Sequence, residues 1–109
     1  MEGCTVAETR VLEKVKRAMS IINSRNIVYV EYGVFGSVAR GDYTAVSDVD
    51  IVMIVEQMPL RYTLAELRCD LEEIGCDFAI LYKRNFDAPK TVFQKEVKRD
   101  YRRLKVYGE

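Results

Sequence analysis

The segment that most constrains this chain is Gly36-Ser37-Val38-Ala39-Arg40-Gly41, then Ser47-Asp48-Val49-Asp50, then the apolar run Ile51-Val52-Met53-Ile54-Val55. An apolar, largely β-branched run of that length reads as a buried strand from Val49 to Val55. A strand sends residues i and i+2 to the same face, so Asp48 and Asp50 point the same way, roughly 7 Å apart at about 3.3 Å per residue. Two acids on one face repel each other unless a cation lies between them. Hard divalent ions such as Mg²⁺ take oxygen ligands, often one or two carboxylates plus substrate phosphates. The Gly-Ser turn supplies backbone N–H groups, and the N-terminus of a following helix favours anions. A phosphate cradle beside a metal-binding acid pair points to phosphoryl or nucleotidyl transfer. It is not a P-loop, because no Gly-Lys-Ser/Thr follows.

The surrounding sequence reads as alternating helices and strands. Thr5-Val6-Ala7-Glu8 fits a capping box, and Val11, Leu12, Val15, Ala18, Met19 and Ile22 recur at helical spacing, ending near Asn23-Ser24. Ile27 to Phe35 is β-branched and aromatic and reads as a strand running into Gly36-Ser37. A short helix covers Ser37 to Arg40 and closes at Gly41, and Asp42 to Ser47 form an exposed loop. Beyond Pro59, Thr63-Leu64-Ala65-Glu66 is a second capping box, with Leu64, Leu67, Leu71 and Ile74 as an apolar stripe and Gly75 at C′. Cys76 to Tyr82 is a third strand. Asp87 is expected to cap a last helix with Pro89 in its first turn and Phe93, Val97, Tyr101 and Leu104 as its stripe. Three strands with helices packed on them give a small α/β or α+β layer.

Composition removes several alternatives. The chain has no histidine, which excludes imidazole catalysis and His-ligated metals. Its 17 basic and 17 acidic residues cancel, so overall charge gives no reason to expect nucleic-acid binding. No apolar run reaches the roughly 18 residues of a membrane span. Met1-Glu2-Gly3-Cys4 begins neither a signal nor a transit peptide. Cys4, Cys69 and Cys76 are odd in number and lack CxxC spacing, so buried free thiols and a reducing, cytoplasmic setting are expected. At 109 residues, residues 1–109 are expected to form a single domain.

Asp77 opens an otherwise apolar strand, where burying a lone carboxylate is costly. If that strand lies beside Val49–Val55, Asp77 joins Asp48 and Asp50 around one metal cluster. With this third acid, the chain resembles the polymerase β-type nucleotidyltransferase superfamily: Gly-Ser-x-x-x-Gly, then Ser-Asp-x-Asp on a strand, then a third Asp on a later strand. Within it, the likeness is to the minimal nucleotidyltransferase (MNT) proteins, over Ile27 to Tyr82. The resemblance implies a short mixed sheet packed with helices, with Gly36 and Ser37 holding the nucleotide triphosphate. It implies two Mg²⁺ ions held by Asp48 and Asp50, with Asp77 on the catalytic ion and near the acceptor hydroxyl. It also implies a partner, since many MNT proteins are antitoxins paired with a helical HEPN toxin and some transfer AMP from ATP onto a tyrosine of that toxin.

Three functions follow. The first is an adenylyltransferase acting on a HEPN-type partner, with the acceptor site supplied by that partner or by a second copy of the chain. The second is an antitoxin that neutralises by occlusion without catalysis, and the third is a small-molecule nucleotidyltransferase. Arg40 either steadies phosphates in the nucleotide site or pairs with a neighbouring acid. Tyr43, in the loop beside the acids, is either an exposed aromatic or a substrate contact. Lys95, Lys98, Arg99, Arg102, Arg103 and Lys105 read either as a solvated helix face or as a docking surface for an acidic partner or RNA.

Overall fold

The structure, a computed structural model, describes residues 5–108. Its centre is a four-stranded mixed sheet in the order β3-β2-β1-β4, with β1 Glu31–Phe35, β2 Val49–Val55, β3 Cys76–Tyr82 and β4 Arg102–Val106. β1 pairs antiparallel with both β2 and β4, whereas β2 and β3 run parallel. The helices are α1 Val6–Asn23, α2 Gly36–Arg40, α3 Arg61–Glu73, α4 Lys83–Asp87 and α5 Val92–Asp100. This mixed α+β fold matches the expected class. The parallel β2–β3 pair requires a crossover, and α3 supplies it.

Alternation along the strands assigns the two faces of the sheet. Val49, Ile51, Met53 and Val55 of β2 join Cys76 and Phe78 of β3 in a core with Val11, Ala18 and Ile22 of α1 and Leu67 and Leu71 of α3. Val52 and Ile54 point the other way, into a second core with Leu81, Phe86 of α4 and Val97 of α5. The sheet is therefore covered on both sides, which explains why β2 is a continuous apolar run and not an alternating one. Arg25, just past α1, bridges to Glu66 at 3.0 Å and to Asp70, tying α1 to α3.

Several boundaries depart from the sequence reading. The ladder of β1 begins only at Glu31; Ile27 and Tyr29 are buried before it, and Val30 donates to the Ile54 carbonyl at 2.8 Å. The Thr63 capping box does not form. α3 starts after its N-cap Leu60, two residues before Thr63, with no side-chain cap hydrogen bond. The last helix is not capped by Asp87, which instead ends α4 and pairs with Lys83 at 3.0 Å. α5 starts later, at a complete capping box made by Thr91 and Gln94.

The fourth strand was not anticipated. Phe93, Val97, Tyr101 and Leu104 do have helical spacing, but the chain turns extended at Tyr101 (φ −56°, ψ 131°). Tyr101 packs on the α4/α5 side and Leu104 on the α1 side, so the apparent stripe is split between the two faces. The basic stretch is divided in the same way: Lys95, Lys98 and Arg99 lie on α5, and Arg102, Arg103 and Lys105 lie on β4. Of the cysteines, Cys76 is buried and free, Cys69 is free but exposed against expectation, and Cys4 lies outside the described residues. Among the described residues no helix is long and apolar enough to cross a membrane.

These caps yield a paired test. Thr91→Ala removes a side chain that accepts from the Gln94 amide at 3.1 Å and should cost about 1 kcal/mol in urea unfolding. Thr63→Ala, within a helix, should stay within about 0.5 kcal/mol of the parent. The reverse ranking would contradict the helix boundaries.

Candidate functional site

The register of the parallel pair places Asp50 of β2 directly opposite Asp77 of β3. Period-two alternation puts both on the α4/α5 side of the sheet, and Asp48, two residues before Asp50, shares that side. α4 and α5 cover the middle of this face, at Val52, Ile54 and Leu81. The acids lie beyond that cover, at the strand ends, where Asp48 and Asp77 are exposed and Asp50 is half-buried. β3 is an edge strand, so the cluster sits at an open margin of the sheet. The three acids singled out from the sequence are thus brought to one place.

The electrostatics follow from the geometry. Burial, then the Asp77 charge and a hydrogen bond shared with it, then the Asp48 charge, push the Asp50 carboxyl up to about 6; Arg40 opposes the shift weakly. Buried Cys76, the neighbour of Asp77 in sequence, is raised to about 11, chiefly by desolvation. Asp50 is thus an anion without a compensating cation of sufficient strength. Its surroundings fit a hard divalent ion, which would relieve that repulsion through oxygen ligands. Among the described residues no group of three acidic or thiol side chains converges closely enough to define a metal site by itself.

The Gly36-Ser37 turn reaches the acids through the antiparallel partner. Phe35 is paired with Asp50, so Gly36 leaves β1 beside that carboxylate. Gly36 has φ +70°, and a Cβ there would collide with Asp50 Oδ2. Both conformation and space therefore require glycine. α2 follows at once, with first-turn amides that have no intrahelical acceptor, and Gly41 closes it in the left-handed region at φ 84°. These amides and the carboxylates together can hold an anion and a cation side by side.

Arg40 pairs with neighbouring acids, donating to Asp42 at 3.2 Å and to Asp100 at 2.9 Å, while 44% of its side chain stays exposed. Tyr43 is half-buried against the α1-side core and is not a freely exposed aromatic. Ser47 shapes the loop before Asp48, accepting from the Thr44 amide at 2.8 Å through its hydroxyl. One contributor escaped the sequence reading: Lys14 of α1 donates to the Ser47 carbonyl at 3.1 Å and so braces the approach to Asp48. A lysine on a helix 33 residues upstream carries no local signal of such a role.

The raised Asp50 carboxyl has a consequence for stability. Between about 3.8 and about 6 the folded state retains a proton that the unfolded chain releases, so stability falls as pH rises through that window. Asp50→Asn should therefore raise metal-free stability at pH 7.5 by about 1 kcal/mol, the shift being discounted for solvent screening. The gain should disappear at pH 3. Urea unfolding in EDTA at both pH values measures it; destabilisation at pH 7.5 would assign Asp50 a structural role instead.

Comparison with known proteins identifies the setting of this cluster. The nucleotidyltransferase domain model matches residues 12–107. No curated protein matches the chain. Among solved structures, a candidate nucleotidyltransferase from Sulfolobus solfataricus aligns over 98% of this chain and 93% of its own, at 21% identity and TM-score 0.59. A candidate minimal nucleotidyltransferase aligns over 95% of this chain and 100% of its own, at 26% identity and TM-score 0.55. A tri-AMPylated HEPN toxin from Shewanella oneidensis in complex with an MNT antitoxin aligns over 89% of this chain and 72% of that chain, at 19% identity and TM-score 0.56. A toxin–antitoxin complex with AMP-PNP aligns over 88% and 73%, at 19% identity and TM-score 0.58. Neighbours below one quarter identity speak to the fold alone.

Proposed function

The chain belongs to the nucleotidyltransferase domain family, and from that premise we propose that it transfers AMP from ATP to a tyrosine hydroxyl of a helical HEPN-type toxin, acting as that toxin's antitoxin. The observation that carries the reading is the placement of Asp48, Asp50 and Asp77 on one face of the sheet, beside the Gly36-Ser37 turn and at an open sheet margin. The neighbouring toxin–antitoxin complexes, one with AMP-PNP and one with an AMPylated HEPN toxin, support the choice of nucleotide, acceptor and partner.

In this reading residues 1–109 act as a single cytoplasmic nucleotidyltransferase domain. The α2 amides at Gly36 and Ser37 take the triphosphate, and the Ser37 hydroxyl adds a further donor. Asp48 and Asp50 would hold two Mg²⁺ ions, and Asp77 would join the ligand set of the catalytic one. When bound, the metals neutralise charge that develops on the phosphoryl oxygens during transfer. Asp77, on the edge strand, lies nearest the side from which an acceptor hydroxyl approaches and can accept its proton. No histidine is needed for that step. The open margin leaves the acceptor pocket to the partner, because Asp48 and Asp77 are exposed and β3 is an edge strand.

A second reading, neutralisation by occlusion without transfer, is favoured by one observation: the acids do not converge into a metal site by themselves among the described residues. A small-molecule acceptor is the remaining alternative. Co-expression with the HEPN partner separates them. Intact-mass spectrometry should show AMP added to the partner with the wild-type chain and no addition with Asp77→Ala. Calorimetry should show ATP binding that depends on Mg²⁺ and persists in Asp77→Ala through Asp48, Asp50 and Ser37. An unmodified partner that both forms neutralise equally would establish occlusion.

A further inference from the structure

α2 is five residues long, too short to be stable alone; Ala39 buries into the main core with Val38 packed beside it, but Gly36, Ser37 and Arg40 add no apolar anchor. Its polar supports, and an aromatic one, come from the other end of the chain. Before it, the Phe35 ring meets Phe93 of α5 edge-on, with centroids 5.7 Å apart. At its last turn the Ala39 carbonyl, which helix geometry leaves without an intrahelical partner, accepts from Arg102 Nε at 2.8 Å. Next to it, Arg40 Nη1 donates to Asp100 Oδ2 at 2.9 Å.

Asp100 is built for this position. Its side chain is only 6% exposed, and Arg99 also holds it, through Nε at 2.9 Å and Nη2 at 3.1 Å. The Arg99 and Arg40 guanidiniums keep its carboxyl below the usual range, so it stays ionised. Asp100 ends α5 and Arg102 begins β4, so the two side chains grip α2 from either side of the Tyr101 bend. Among the described residues no hydrogen bond or ion pair joins either residue to Asp48, Asp50 or Asp77.

We propose that Asp100 and Arg102 are positioning residues: they clamp the last turn of α2 and thereby set the attitude of the Gly36-Ser37 turn toward Asp50. This rests on the reading that the turn holds a nucleotide triphosphate. The Arg40–Asp100 pair also withholds the Arg40 guanidinium from a phosphate in that site. Arg40 therefore acts through α2 and not on the nucleotide.

ATP titration calorimetry in Mg²⁺ tests the clamp on the full chain. Asp100→Asn and Arg102→Ala should each weaken binding about tenfold, with Asp100→Glu within about threefold of wild type. Hydrogen exchange without nucleotide is the second measurement. The Gly41 and Asp42 amides, which donate to the Ser37 carbonyl at 2.9 and 3.1 Å, should exchange faster in Asp100→Asn and Arg102→Ala, with α1 and β2 unchanged. Unchanged or tighter ATP binding in Asp100→Asn would overturn the proposal, the tighter case meaning that Arg40 had been released to serve the phosphates. Faster exchange throughout the fold would reduce Asp100 to a general structural role and overturn it equally. If wild type bound no ATP, the nucleotide reading would fail, while exchange at Gly41 and Asp42 would still decide whether the clamp exists.

Discussion

Asp50 and Asp77 face each other across the parallel pairing of β2 and β3, and most of what matters in this molecule depends on that register. A slip of one residue would send Asp77 to the opposite face of its strand and dissolve the cluster. What prevents the slip is the alternation of apolar residues on both sides. Ile51, Met53 and Val55 are committed to the α1/α3 core, and Val52 and Ile54 to the α4/α5 core. The two cores hold two like charges together at the end of the strands. The result is visible in Asp50, whose carboxyl is raised to about 6 by burial and by its acidic neighbours.

The antiparallel partner strand adds the second half of the site. β1 ends at Phe35 opposite Asp50, and the chain turns at Gly36 against the carboxylate. Gly36 sits at φ +70°, and a Cβ there would press on the Asp50 carboxylate. A short helix then carries the turn's amides. That helix is held by the final segment of the chain, where Tyr101 bends α5 into β4. Gly33 shows how tightly this segment is applied: a Cβ there would run into the Arg102 carbonyl and lie 2.8 Å from Tyr101 Cε1. The β1–β4 ladder shifts register between Tyr32 and Gly33, at the same place. The end of the chain is therefore structurally joined to the turn near its middle.

Much of this was legible in one dimension. The strand Val49–Val55, its two leading acids, the Gly-Ser turn and the short helix closed by Gly41 all have local causes: β-branched apolar runs, period-two alternation, and a glycine at a left-handed position. Asp77 was singled out because burying a lone carboxylate at the head of an apolar strand is costly. Elsewhere local signals misled. Thr63-Leu64-Ala65-Glu66 has a capping-box pattern, but α3 already begins at Arg61. Phe93 to Leu104 has a helical period that the structure divides between two faces of a sheet.

The sequence by itself determined which residues could form the acid cluster and the turn, because those features arise from neighbours a few positions apart. Only the tertiary structure decided that β3 lies parallel beside β2 with Asp77 opposite Asp50, since strand order depends on burial of two faces at once. It alone made a strand of Arg102-Arg103-Leu104-Lys105-Val106, a segment with little intrinsic strand character whose ladder bonds come from β1. And it alone assigned Arg40 to Asp100 and Lys14 to the Ser47 carbonyl, pairings across 60 and 33 residues that no local spacing records.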